Sequence, residues 1–433
     1  MKRKERFLKI IFATARILFG LTFVFSGFVK AVDPIGFAYK IEDYLISFQL
    51  TQFIPLALTF AVALILLELL LGVFVLLGLY YRKATTVLAV LFMLVMTPMT
   101  LYIALKNPVE DCGCFGDALI IDNWSTFYKN IVLLFLALLL YVYRNKINPL
   151  FSKRTKNYVL AFVFLFSLLF CLYNILYLPV MDFRPYKVGV NIPQQMEDDL
   201  SKGDVYENVY IYEKDGIQKE FTEETFPWED STWTFVDLES KLIQEGEQPL
   251  IEDFSMLAYH KDPDGSLVTT DDITDEVLSK PINLLVVSLS LNDVNEAGMK
   301  RILALIDYTE SHDIDITIIT SSRASVVEQW SKKWESDAVT FASMDELTLK
   351  TIIRSNPGLI LLNHGTIQAK WSKNSIPDET KLNKTITQFE VNEKDASHNN
   401  STSKLFIICL LFASPLLGVK WYDRKLVNTY KIK

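Results

Sequence analysis

Six stretches of this chain are apolar for long enough to cross a hydrocarbon layer of about 30 Å. They are Phe7 to Val29, Phe53 to Leu79, Thr85 to Ala104, Asn130 to Tyr143, Tyr158 to Leu178 and Leu405 to Gly418. Helices satisfy their own backbone hydrogen bonds inside lipid, so the runs predict a multi-span α-helical membrane bundle. The run at Asn130 is short; a helix starting near Trp124 lengthens it, with Lys129 reaching back to the interface. A cleaved signal peptide is the rival reading of the first run, opposed by its length and by the lack of a small-residue cleavage site. Half of the residues are hydrophobic although long polar stretches intervene, so membrane and soluble parts share one chain.

Cationic flanks tend to stay in the cytoplasm. Lys2, Arg3, Lys4 and Arg6 precede the first run, Arg82 and Lys83 separate the second and third, and Arg144, Lys146, Lys153, Arg154 and Lys156 separate the fourth and fifth. Those flanks are placed inside, and the basic tail with Lys420, Arg424 and Lys425 agrees in parity. The turn at Asp33 to Leu50, the loop with Cys112 and Cys114, and the region Met181 to Lys404 then lie outside. The expected localisation is a bacterial inner membrane, with both termini cytoplasmic and a large periplasmic domain. The expected divisions are a four-helix bundle at 1–145, a cytoplasmic loop and fifth span at 146–180, a periplasmic region at 181–376, a flexible linker at 377–403 rich in Asn, Ser, Thr, Lys and Glu, and a sixth span with tail at 404–433. The net charge of −8 resides mainly in the soluble region, and no basic groove argues for nucleic acid.

Ionisable groups within a membrane ask for a partner or a task. Counted from the cytoplasmic ends of their runs at 1.5 Å per residue, Arg16 and Glu68 fall within about 3 Å of one depth, which predicts a buried pair. It serves either to fix helix packing or as a proton or quinone site in which Glu68 carries the proton that accompanies electron transfer. Gly20, Gly27, Gly72 and Gly78 are read as close helix packing.

The most informative stretch is Asp111-Cys112-Gly113-Cys114-Phe115-Gly116-Asp117. The chain has four cysteines, and Cys171 and Cys409 lie in apolar runs, where a thiol is usually a small hydrophobe. Two cysteines one residue apart can close a small strained ring with Gly113 supplying the torsions, and strained disulfides are the more oxidising ones. Lys30, Lys106 and Lys129 are expected near the same interface, where a cation favours the thiolate. A structural pair and a copper(I) site are the alternatives; with only two thiols and no nearby histidine, a closed zinc site is not expected.

These residues carry a family resemblance. Arg16-Ile-Leu-Phe-Gly20, Phe25-Ser26-Gly27-Phe28-Val29-Lys30, Asp33-Pro34-Ile35-Gly36-Phe37, Glu68 with Gly72, and the Cys112 to Asp117 motif together resemble the DoxX/MauE family of redox-associated membrane proteins, over roughly Met1 to Tyr143. The resemblance implies a redox function at the membrane: MauE proteins are implicated in methylamine utilisation through maturation of a disulfide-rich periplasmic dehydrogenase, and DoxX relatives in quinone-dependent sulfur oxidation. The fused arrangement, with the exit sequence Leu178 to Gly189, resembles a Bacteroidetes branch that need not handle methylamine. Cys112, Cys114, Glu68 and Arg16 are then the candidate reacting residues, Lys30 a candidate cofactor contact, and quinone the expected carrier.

The soluble region begins with alternating apolar residues from Tyr206 to Tyr212 before Asp215-Gly216, which predicts a hairpin. Strands at Asn283 to Ser290 and Ile314 to Thr320, helices at Glu296 to Thr309 and Ser325 to Trp334, a strand at Val339 to Ala342, a helix from Asp345, and a strand pair at Gly358 to Leu362 and Thr366 to Trp371 follow. This order resembles an α/β thioredoxin-like domain of the peroxiredoxin and thiol-disulfide reductase type over about Gly246 to Pro377, with the lead-in Pro249 to Phe254 and with Asn356-Pro357 where such folds hold a cis-proline. Leu291-Asn292-Asp293-Val294-Asn295 stands where its redox pair belongs, and no cysteine occurs between Met181 and Lys404. The domain therefore cannot exchange thiols itself and is read as a binding or positioning domain. His260, His312, His364 and His398 are scattered and are read as solvated or turn residues. Two functions follow: a quinone-linked thiol-disulfide oxidoreductase or maturation factor that exchanges with an envelope protein, or a non-catalytic membrane scaffold whose thioredoxin-like domain docks one.

Overall fold

The computed structural model describes residues 2–80, 84–109, 111–146, 149–197, 205–214, 216–222, 225, 232–244, 249–252, 254–263, 267–334, 339–391 and 400–431. Arg82, Lys83, Asp215, Asp253 and His398 lie outside them. The membrane part comprises α1 (Lys2–Val32), α2 (Pro34–Ser47), α3 (Ala57–Leu77), α4 (Thr86–Lys106), α5 (Asn123–Val142) and α6 (Lys156–Leu176). All except α2 carry windows long and apolar enough to cross a membrane, as does the last helix, which makes six such helices among the described residues. The chain is a multi-pass membrane protein.

α1 and α3 run antiparallel and touch closely because glycines face the contact. A Cβ on Gly72 would stand 2.7 Å from the backbone nitrogen of Val24, and one on Gly20 2.6 Å from Leu76 Cγ. This register corrects the expected Arg16–Glu68 pair. Arg16 donates from Nε to the carbonyl of Val75 at 2.9 Å and from Nη2 to that of Leu76. Glu68 lies about two turns, or ~11 Å, further along α3. Depth counted from the ends of hydrophobic runs fails because glycine packing, and not the run ends, sets how the helices slide. Gly78 has a different task, ending α3 with φ +68 in the left-handed region.

The stretch from Asp33 to Leu50 was expected as a turn and is instead largely α2. Asp33 caps it by accepting from the Gly36 N–H at 2.9 Å, with Pro34 at the first position. Its buried face, Ala38 and Ile41, packs on Ala57 and Ala61 of α3. This helix carries Lys40 and Tyr44 over the cysteine loop.

α7 (Ile192–Met196) opens the soluble part, followed by a three-stranded antiparallel sheet of β1 (Val205–Lys214), β2 (Ile217–Phe221) and β3 (Thr234–Gln244) in the order β2-β1-β3. The expected hairpin is there, with a third strand added. The main sheet uses β4 (Leu257–Lys261), β5 (Leu267–Asp272), β6 (Asn283–Ser288), β7 (Asp315–Thr320), β8 (Val339–Ser343), β9 (Gly358–Asn363) and β10 (Thr366–Ser372) in the order β10-β9-β6-β7-β8-β4-β5. β6, β7 and β8 are parallel, with β9 antiparallel to β6 and β10 antiparallel to β9. The helices are α8 (Thr274–Ser279), α9 (Glu296–Leu303), α10 (Ile306–Ser311), α11 (Ala324–Ser331), α12 (Glu346–Ile352), α13 (Glu379–Val391) and α14 (Asn400–Lys431). The continuous apolar run of β6 reflects burial on both faces, since every residue from Asn283 to Ser288 is buried. This is a thioredoxin-like α/β domain, and the Asn356–Pro357 peptide is cis.

The linker expected from residue 377 is not a free tether over its first half. α13 continues the domain, and Leu382, fully buried, packs in the core with Ile376 and Trp334. Composition misled because one turn-spaced apolar residue is enough to seat a polar helix.

Candidate functional site

Glu68 sits inside the bundle against Lys30 of α1, whose Nζ stands 2.7 and 2.9 Å from the two carboxylate oxygens. Both side chains are buried, at 3% and 6% exposure. The Ser26 hydroxyl, one turn before Lys30, lies 2.8 Å from Glu68 Oε2 and 2.7 Å from the carbonyl oxygen of Cys114, so its single hydrogen is shared between the intramembrane carboxylate and the cysteine loop.

The loop is braced at both ends. Asp111 accepts from the Gly113 N–H at 2.6 Å and pairs with Lys40 of α2 at 2.6 Å. Gly113 has φ +64, in the left-handed region that favours glycine. The Tyr44 hydroxyl donates to the Cys112 carbonyl at 2.8 Å. Phe115 packs with Phe25 at 5.3 Å between ring centres and lies under the Lys129 ammonium at 4.2 Å. At the far end Asp117 accepts from Arg354 of the soluble domain at 3.1 Å.

Cys112 and Cys114 are both free thiols and share a hydrogen bond. Stabilised by that bond, and despite burial, Cys114 is lowered to about 6, with Lys129 and Lys30 also favouring its thiolate. The same bond, with burial and the charge of Cys114, pushes Cys112 well above its ordinary value. The two thiols therefore titrate as a pair, whose thiolate the Lys129 and Lys30 ammonium groups favour. Lys106 is exposed at the end of α4, and the cations favouring the thiolate are Lys129 and Lys30.

Both cysteines line an apolar cavity of about 430 Å³ between α2, α3 and α4. Phe48, Phe60, Leu64 and Ile103 wall it, and Lys30 and Glu68 stand at its polar end. Glu68, Lys30, Cys112 and Cys114 are brought together; Arg16 is not. Sequence reasoning overlooked Ser26, Lys40, Tyr44, Asp33 and Arg354. Of these, Ser26 and Asp33 lay within motifs already singled out, and Lys40 and Tyr44 were legible only as one face of a helix not foreseen.

Fold and site define a multi-pass membrane protein with a pair of free thiols at one end of its bundle and a cysteine-free domain of thioredoxin-like fold seated on that end. Residues 8–143 match the family described as methylamine utilisation protein MauE. Residues 206–245 match a domain of unknown function, DUF8463. No curated protein matches the chain. Among solved structures, a thioredoxin-like protein from Aeropyrum pernix is similar with TM-score 0.24 and 9% identity, over 31% of this chain and 89% of that one. A putative thioredoxin from Neisseria meningitidis gives 0.24 and 15%, over 34% and 97%. A thiol peroxidase from Chromobacterium violaceum gives 0.25 and 15%, over 32% and 85%.

Proposed function

We propose that Cys112 and Cys114 form a dithiol/disulfide couple that exchanges with an envelope protein and is linked to a quinone in the adjoining cavity. The observation that carries this reading is the pair of free thiols in the wall of an apolar cavity whose polar end is the Lys30–Glu68 pair. In the oxidising direction the Cys112–Cys114 disulfide is attacked by a partner thiolate, a mixed disulfide forms, and the partner's second thiol displaces the loop. The partner gains a disulfide and the loop two thiols, so two electrons and two protons have moved.

The cavity fits a quinone: its walls are apolar, and charge is confined to one end. A quinone bound there supplies a two-electron, two-proton acceptor that restores the disulfide. Cys114, the stronger thiolate, is the sulfur that faces reoxidation first, while Cys112 holds the second proton. Glu68, bonded to Ser26 and Lys30, is the carboxylate placed to take and return protons at the polar end. The thioredoxin-like domain, lacking thiols, serves recognition. The membrane is the inner membrane and the domain is periplasmic on this reading, because disulfide exchange needs an oxidising compartment.

The test uses the purified full chain in nanodiscs. After reduction, addition of a short-chain quinone should convert Cys112 and Cys114 to a disulfide with one quinol formed per chain. No change in either thiol would sink the quinone link. A Cys112→Ser or Cys114→Ser variant should hold a partner in a mixed disulfide, whereas full function in the double serine variant would favour the scaffold reading.

A further inference from the structure

Exchange with a protein requires a partner sulfur to approach the loop along the S–S axis, yet Cys112 is buried and Cys114 half-buried, in a loop whose Gly113, Gly116 and Asp117 meet Met181, Asp182 and Arg184 at the entry to the soluble domain. Among the described residues, the ion pairs between that domain and the bundle converge on one side chain, Arg354. Arg354, 7% exposed, reaches from the segment after α12 to the bundle. Its Nε lies 2.8 Å from Asp33 Oδ2 and its Nη2 3.1 Å from Asp117 Oδ2. Nη1 donates to the carbonyl of Lys350, and the guanidinium lies 5.4 Å from the centre of the Tyr39 ring. Gly36 leaves the room for it, since a Cβ there would stand 2.6 Å from Nη2.

The two carboxylates that flank the cysteines are thus used differently. Asp111 is tied within the membrane part, to Lys40, while Asp117 is tied to the soluble domain. The surrounding interface is loosely filled: a cavity of about 170 Å³ lies between Ile35, Tyr39, Ile175, Leu349 and Arg354, and a water-sized one lies beside Asp33, Asp117 and Arg184. A polar contact of this kind between domains permits relative motion, unlike a large continuous apolar one. A separate tie joins the two parts at the end of α6, where the carbonyl of Leu176 accepts from Asn374 Nδ2 at 2.6 Å.

We propose that Arg354, bridging Asp33 and Asp117, is a releasable clasp by which the soluble domain caps the cysteine loop, and that the partner protein gains the thiols when this clasp opens. This rests on the thiol-exchange reading for its purpose, and its test reads access alone. The full chain is reduced in nanodiscs and alkylated with a bulky polyethylene-glycol maleimide, and each cysteine is quantified by mass spectrometry. The rate is divided by that with N-methylmaleimide, which cancels changes in thiolate fraction. Arg354→Ala and the near-isosteric Asp117→Asn should each raise this ratio at Cys112 and Cys114 by at least about tenfold. Arg354→Lys, which keeps the charge, should stay closer to wild type. Cys171, buried in the bundle, should stay unlabelled in all of them.

Ratios within twofold of wild type for both Arg354→Ala and Asp117→Asn overturn the clasp. Acceleration that extends to Cys171 in both variants also overturns it, because the bundle and not the cap has then loosened. Thiols that become accessible but do not respond to quinone or partner leave the clasp standing and refute the exchange.

Discussion

Replacing Glu68 by Gln separates a pair that fixes packing from one that works. In the native protein Lys30 Nζ touches both carboxylate oxygens, at 2.7 and 2.9 Å, with both side chains almost without solvent. The substituted amide keeps the volume and one acceptor but leaves the ammonium uncompensated. Removing one partner of a buried pair costs about 3–5 kcal/mol, whereas replacing both by apolar residues of similar volume is often near neutral. The prediction is therefore non-additive: Glu68→Gln destabilises by ~3–5 kcal/mol, and Lys30→Met with Glu68→Leu recovers most of it. The assay is equilibrium unfolding of the full chain in mixed micelles. A single-variant loss below about 1 kcal/mol, or a double variant worse than the single, would refute the reasoning, since the pair would then lie in an effectively wet site. Activity divides the two roles: if Glu68 carries protons, the recovered double variant folds yet no longer reduces quinone with its thiols.

Because Cys114 is lowered to about 6, its alkylation by a small reagent should rise with pH to half-maximum near 6 and be flat by neutrality. Lys129→Gln should move that midpoint upward, and an unmoved midpoint would remove Lys129 from the account. Gly72→Ala puts a methyl 2.7 Å from the Val24 nitrogen, so α1 and α3 must part, at about 1–3 kcal/mol in the same unfolding assay. Leu382→Ala should cost the soluble domain ~2–5 kcal/mol, read by amide exchange in β9; an effect within about 0.5 kcal/mol would restore α13 to the status of a tether.

What the sequence makes legible is what depends on composition and short spacing. The six long helices follow from hydropathy, and the alternation from β6 to β10 follows from short apolar runs bounded by turns. The cysteine pair is visible because Cys-Gly-Cys is local. Three things are not local. Arg16 and Glu68 required the sliding register of α1 on α3, which a few glycines decide. α2 was hidden by its position between two spans, although Asp33-Pro34 is a readable helix start. Arg354 joins residues more than two hundred positions apart, and nothing near it in sequence distinguishes it from a surface arginine.

The sixth helix presents almost no buried face to the rest of the protein among the described residues, yet it is not idle. Asp423 accepts from the Ser152 N–H at 3.0 Å and from the Thr155 hydroxyl at 2.9 Å, pinning α14 to the entry of α6. The soluble domain is consequently moored at both its ends, and an opened cap stays near the bundle. Reclosure is then a unimolecular event, governed by the millimolar effective concentration that a short tether imposes. If Arg354 is the clasp proposed above, a partner would compete with a neighbour that is never diluted, and the cap would close again when the partner leaves.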